Sequence, residues 1–396
     1  MSTLDKLRDY FDVVDIAPPD WPVRCCLALP TQAAAAAWGA LPPGLRLENG
    51  RVAGGRGLSF DAAETSALGE AAELASTITW GDEAVMPPDA PLGEGKCWRL
   101  TELLGFSPEQ SDARSSWNER LDGTDWIPPA GAQATGWIMA EDAFGGDPVR
   151  VPTDAVFLGT SASSYADTSG CAAGETDAAA RQAAVLELIE RDATGRWWYG
   201  NRARAVLDTA NLGPEFDELL GWFGDRGRNL RLFDITTDLG VPVVAAVTDD
   251  PETGSVSMGF AAGLSHPVAA QKATSEMGQM ALLVEAGLQT GQMRPGLRRW
   301  LAEVSPKTSP LGALATAAPL RPAVMPDELL PALQQHGVRL AFHNMTHNFV
   351  GVSVWRAISP DLCHWKPRFG RARLLAPDEA DLEPAAAAPN SVILRL

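Results

Sequence analysis

The chain has 396 residues, 45% of them apolar and 21% charged, which is the make-up of a folded protein able to bury a large core. Its 50 acidic and 32 basic residues give a formal charge of −18, so the positive potential that attracts nucleic acid or an anionic membrane is missing. No apolar run approaches bilayer length, the acid-bearing N-terminus lacks a secretory core segment, and Cys25, Cys26, Cys97, Cys171 and Cys363 show neither CxxC spacing nor the histidine pairing of a zinc site. A reducing, cytoplasmic location is the expectation.

Taken along the chain, residues 1–50 read as a small N-terminal segment packed on a main domain of residues 51–380, with 381–396 an extended tail. Helix formers without a Gly–Pro break predict a helix over 62–76. Residues 83–155, rich in Gly, Pro and Trp, read as loops with short strands. Thr176 is placed to cap a long helix whose first residue, Asp177, suits the positive end of its dipole. Strands are predicted at NLRLFDIT, VPVVAAVTD, VRLAFHN and GVSVWRAI, with a third long helix in HPVAAQKATSEMGQMALLVEAGL. Helices alternating with strands give an α/β or α+β sheet protein.

Two of these helices align acids. Ser66, Glu70 and Glu73 fall at i, i+4 and i+7, and Glu187, Glu190 and Arg191 at i, i+3 and i+4, each a single stripe. Acids on one side of an apolar helix are costly to bury unless a cation faces them. Mg²⁺, which takes carboxylates together with substrate phosphates, is one such cation. A solvated charged face is the other reading, and the stripes alone leave both open.

The surrounding residues resemble the YcaO family. GRGLSFDAAETSALGEAAEL (55–74) is similar to its GKG followed by SALxEAxER. SGCAAGETDAAARQAAVLELIERDATGRWWYGNR (169–202) is similar to its ExxERDA signature with a Trp-Trp-Tyr cluster. FDITTDLGVPVVAAV (233–247), GFAAGLSHPVAAQKATSEMGQ (259–279) and THNFVGVSVWRAISPDLCHWKPRFGRARL (346–374) follow in family order. The resemblance implies a fold of mixed sheets and long helices around a central nucleotide pocket without a P-loop. It implies ATP and Mg²⁺, with Arg56, Ser66, Glu70, Glu73, Glu175, Glu187, Glu190 and Arg191 at the nucleotide and Glu70, Glu73, Glu187 and Glu190 at the metal. The activity implied is cyclodehydration of Cys, Ser or Thr in a ribosomally made precursor peptide to an azoline.

The resemblance also has gaps. Glu175 stands for the family's Asn, Ala179 for a Glu ligand, and Leu74 and Ala281 for arginines, while Arg56 replaces Lys. An alternative is therefore a catalytically weakened scaffold that binds substrate or a partner such as a flavin-dependent azoline dehydrogenase. The segment ahead of residue 50 is short for a leader-recognition module, so a separate leader-peptide-binding partner is expected, and a homodimer is compatible with the family. Outside the stripes, Trp197, Trp198 and Tyr199 read chiefly as packing, His266 as structural, and Cys363–His364 as a weak nucleophile pair. The basic cluster Lys366, Arg368, Arg371 and Arg373 reads equally as a phosphate or peptide-acid contact and as a solvated loop.

Overall fold

The computed structural model describes residues 3–39, 52–90, 96–123, 125–158, 165–311, 317–347, 350–378, 381–382 and 386–395. The chain opens with α1 (Thr3–Arg8), β1 (Phe11–Asp15), β2 (Arg24–Pro30), α2 (Gln32–Gly39), β3 (Ala53–Gly57) and α3 (Phe60–Ser76). There follow β4 (Lys96–Cys97), α4 (Leu100–Leu104), α5 (Pro108–Asp112), α6 (Arg114–Leu121), β5 (Trp137–Asp142), β6 (Val149–Pro152), β7 (Cys171–Gly174) and α7 (Asp177–Tyr199). The last part holds β8 (Val206–Leu207), α8 (Pro214–Asp225), β9 (Asn229–Asp234), β10 (Val243–Asp249), β11 (Val256–Ala262), α9 (His266–Thr290) and α10 (Pro295–Glu303). It closes with β12 (Ala317–Ala318), α11 (Leu329–Gln335), β13 (Ala341–Asn344) and β14 (Ser353–Ile358).

Three sheets result, in the orders β1-β2-β3, β11-β10-β9-β8-β12 and β4-β6-β5-β13-β14-β7. Each contributes an edge strand, β3, β11 and β7, to the neighbourhood of the long helices α3, α7 and α9. Glycine makes two of these approaches possible. A Cβ on Gly55 of β3 would stand 2.1 Å from the Ala67 nitrogen of α3, and one on Gly259 of β11 would stand 2.3 Å from the Ala273 oxygen of α9. Only a residue without a side chain lets strand and helix backbones meet so closely. The helix starts follow the sequence: Ser59 accepts from the Ala62 amide at the head of α3, and Thr176 accepts from the Ala179 amide at the head of α7.

The structure adds detail in three places, one of them against expectation. The three-stranded sheet runs from residue 11 to residue 57, so the N-terminal segment is continuous with the domain through β2–β3 pairing. Within 83–155, read as loops and short strands, lie the helices α4, α5 and α6. They are five to eight residues long, and α4 and α5 start with local capping boxes, as at Ser107, which periodicity over a longer window passes over. Trp197, Trp198 and Tyr199 are all buried at 1% exposure or less, in one core cluster with Phe233, Phe260 and Trp300. Among the described residues no helix is long and apolar enough to cross a membrane.

Candidate functional site

α3, α7 and α9 enclose a cavity of ≈ 670 Å³ whose floor comes from the ends of β3 and β11. Ser66 of α3, Glu187 and Glu190 of α7 and Arg56 of β3 line it, together with Gln182, Phe260 and Lys272. Ala62 and Ala179, from the first turns of α3 and α7, also face it, so two positive helix ends open on the space. The volume lies in the range of small-molecule sites.

Five carboxylates gather around two guanidinium groups here. Arg191 pairs with Glu187 at 3.1 Å and with Glu190 at 3.0 Å, and Arg56 pairs with Glu276 of α9 at 3.3 Å. Glu70 and Glu73 lie within hydrogen-bonding reach of each other, and Glu70 feels both Arg56 and Arg191. Acids from α3 thus face acids from α7. Burial pushes the Glu187 carboxyl up to about 7 against the pull of Arg191, and Glu190 up to about 8, where Glu276 and Glu187 add repulsion. Burial also raises Glu73 well above the ordinary range, reinforced by Glu70 and Glu187.

Two of the acids hold strand edges. Glu73 Oε1 accepts the Ala173 amide of β7 at 2.8 Å, and Glu276 Oε2 accepts the Phe260 amide of β11 at 2.8 Å. Each leaves a carboxylate oxygen on the far side. The edge amides of two sheets are capped by side chains that also belong to the acid cluster.

Of the residues singled out in the sequence, Arg56, Ser66, Glu70, Glu73, Glu187, Glu190 and Arg191 come together. Glu175 does not join them. It is exposed on the turn before α7 and outside the cavity lining, while Ala179 lines the cavity with a methyl group. Leu74 and Ala281 are buried in core clusters. Glu276 and Lys272, opposite charges at i and i+4 on α9, went unselected because no second acid stands one turn from Glu276 to form a stripe of like charge. The acid of SEMGQ was the signal available.

The C-terminal basic cluster is not a solvated loop, because its cations are answered within the fold. Arg368 makes a two-point pair with Asp125 at 2.8 and 3.0 Å, and Lys366 reaches Asp167 at 3.1 Å. Arg373 spans Asp192 at 2.9 Å and Asp238 at 2.7 Å, and Arg371 binds the carbonyls of Glu102, Leu103 and Pro360. The acids answering these cations lie over a hundred residues earlier, which hides the pairing from sequence. His364 gives no catalytic pair. Its Nδ1 accepts the Lys366 amide at 2.9 Å, and its Nε2 lies 3.0 Å from the Ser169 hydroxyl and 2.9 Å from Asp167. Burial drives the Cys363 thiol well above its ordinary value, so it is no nucleophile. His266 is structural, with Nδ1 accepting the Arg321 amide at 2.9 Å and Nε2 3.3 Å from Asp234.

A family model described as YcaO cyclodehydratase, ATP- and Mg²⁺-binding, matches residues 54–363. Among solved structures, a heterocyclase in complex with substrate and cofactor superposes with a TM-score of 0.83 at 23% identity, covering 100% of this chain and 57% of that one. The heterocyclase TruD gives 0.67 at 26% identity, over 84% of this chain and 50% of its own. YcaO from Methanopyrus kandleri, bound with AMPPCP and Mg²⁺, gives 0.64 at 19% identity, over 91% and 88%. This chain therefore spans about half the length of either heterocyclase.

Proposed function

The chain belongs to the YcaO family, and on that premise we propose that it activates a backbone amide of a ribosomally made precursor peptide with ATP and Mg²⁺, closing Cys, Ser or Thr to an azoline. The observation that carries this is the gathering of Glu70, Glu73, Glu187, Glu190 and Glu276 around Arg56 and Arg191, beside an open cavity. Buried carboxylates in such excess are stabilised by a cation from outside. All-oxygen donors suit Mg²⁺. The helix ends, Arg56 and Lys272 favour phosphate on the same cavity wall.

Glu70, Glu73, Glu187 and Glu190 would hold the metal, and the bound ion would neutralise charge on the triphosphate. Arg56, Ser66 and Lys272 would orient the phosphates, and Arg191 would keep the α7 acids aimed inward. In the reaction a substrate Cys, Ser or Thr side chain adds to the preceding carbonyl and gives up its proton. The oxygen of the adduct takes the γ-phosphoryl group, leaving ADP, and departs as phosphate as the ring C=N bond forms. The peptide loses one water overall. A separate leader-binding partner would deliver the peptide.

Ala179 in the lining and Glu175 outside it favour the second reading, a weakened scaffold that binds substrate or a flavin-dependent dehydrogenase. Two measurements separate the readings. Thermal unfolding with millimolar ATP and Mg²⁺ is expected to rise by mass action. Mass analysis of the precursor peptide incubated with the chain, its partner protein and Mg–ATP is expected to show loss of water. No thermal response together with an unchanged peptide assigns the scaffold role.

A further inference from the structure

We propose that Asp82, Glu83 and His347 form a second metal site, for a first-row transition ion such as Zn²⁺, apart from the glutamate-lined cavity. Asp82 and Glu83 lie in the loop after α3, and His347 in the turn between β13 and β14. Among the described residues this is the one group of three or more His, Cys, Asp or Glu side chains whose ligand atoms all lie within 4.8 Å of one another. No three of the cavity glutamates meet that limit.

The geometry fits an N/O shell. His347 Nε2 is 3.4 Å from Glu83 Oε1. Metal–N and metal–O bonds of about 2.0–2.1 Å at a tetrahedral angle set ligand atoms about 3.3–3.4 Å apart. Asp82 Oδ1 lies 3.6 Å from the other ring nitrogen, Nδ1, and its side chain is 65% exposed, free to turn toward the ion. Three protein ligands leave one position for water.

The independent pointer is His347 itself. It is only 6% exposed, yet among the described residues neither ring nitrogen makes a hydrogen bond, and both face carboxylates. Among the described residues no Lys or Arg pairs with Asp82 or Glu83. The supporting structure is already rigid. Glu83 accepts the Trp80 amide at 2.6 Å and the Gly81 amide at 2.9 Å, Trp80 Nε1 donates to Ala75 O at 2.9 Å, and the Trp80 ring lies 5.7 Å from that of His347. Such outer contacts fix ligand direction. The ion would tie the end of α3 to the β13–β14 turn.

The test uses the full chain stripped with EDTA and titrated with Co²⁺, read by visible d–d absorption and thermal unfolding. One equivalent is expected to bind and raise the midpoint. His347→Ala should weaken binding at least tenfold. Because that change also alters packing on Trp80, the exposed Asp82→Asn serves as the second variant, weakening Co²⁺ while leaving the metal-free midpoint in place. The thermal response to Mg–ATP should be the same in all three proteins, which separates this site from the cavity. No Co²⁺ absorption up to millimolar concentration, or wild-type affinity in both variants, overturns the site.

Discussion

The molecule concentrates charge in two places, and it balances them in opposite ways. Around the C-terminal loop, Lys366, Arg368 and Arg373 each meet a carboxylate, with Asp192 fully buried against Arg373 and the Cys363 amide. Between α3, α7 and α9, five glutamates share Arg56 and Arg191 and stand beside solvent-sized space. The first arrangement is complete and holds the fold. The second is short of positive charge, and that deficit, more than the number of acids, marks it as a place for a ligand. The same residue types thus carry opposite meanings, decided by whether the partners are already present.

The contrast is testable from both ends. The largest effect is expected from Asp192→Ala, which leaves Arg373 and the Cys363 amide short of a buried partner and should cost about 3–5 kcal/mol in denaturant unfolding. A loss below about 1 kcal/mol would deny that the network is structural. Glu190→Gln should do the reverse in the ligand-free chain, raising the thermal midpoint at pH 8. It should also weaken Mg–ATP by at least about tenfold, the worth of one charge-assisted contact. If it destabilises the free protein as Asp192→Ala does, the two regions are not different in kind.

Proton linkage gives a third, smaller effect. Glu187 and Glu190 titrate near 7 and 8 when folded, above the 4.5 of a free carboxyl, so the folded chain keeps protons the unfolded chain has released. Stability they contribute is full below about pH 4.5 and is lost as the pH climbs through 7 to 8. The midpoint of the ligand-free protein should fall over that window, and the Glu187→Gln, Glu190→Gln double variant should flatten the slope. An unchanged slope would place the titration elsewhere. The smallest effect belongs to Glu175→Ala, expected to leave stability within about 0.5 kcal/mol and Mg–ATP binding unaltered. A loss matching that of Glu190→Gln would bring Glu175 into the site.

Much of this was legible in the sequence, for identifiable reasons. α3 and α7 announce themselves because their caps, their length and their acid spacing are local properties, α9 does so by its length, and Ser66, Glu70, Glu73, Glu187, Glu190 and Arg191 share faces that helical geometry dictates. The order of strands in three sheets has no such local code. Nor has the pairing of Arg368 with Asp125 or Arg373 with Asp192, which joins residues 243 and 181 positions apart. The short helices α4 to α6 are too brief for a period to accumulate. Glu276 was hidden for a simpler reason: a lone acid acquires meaning only when β3 brings Arg56 to it.

Glu73 and Glu276 fasten the rims of two sheets while standing in the acid cluster. If either carboxylate swings toward an incoming guest, the Ala173 or Phe260 backbone proton is set free to trade with water. Isotope exchange at those two amides would then act as a built-in gauge of occupancy, legible without any label on the guest.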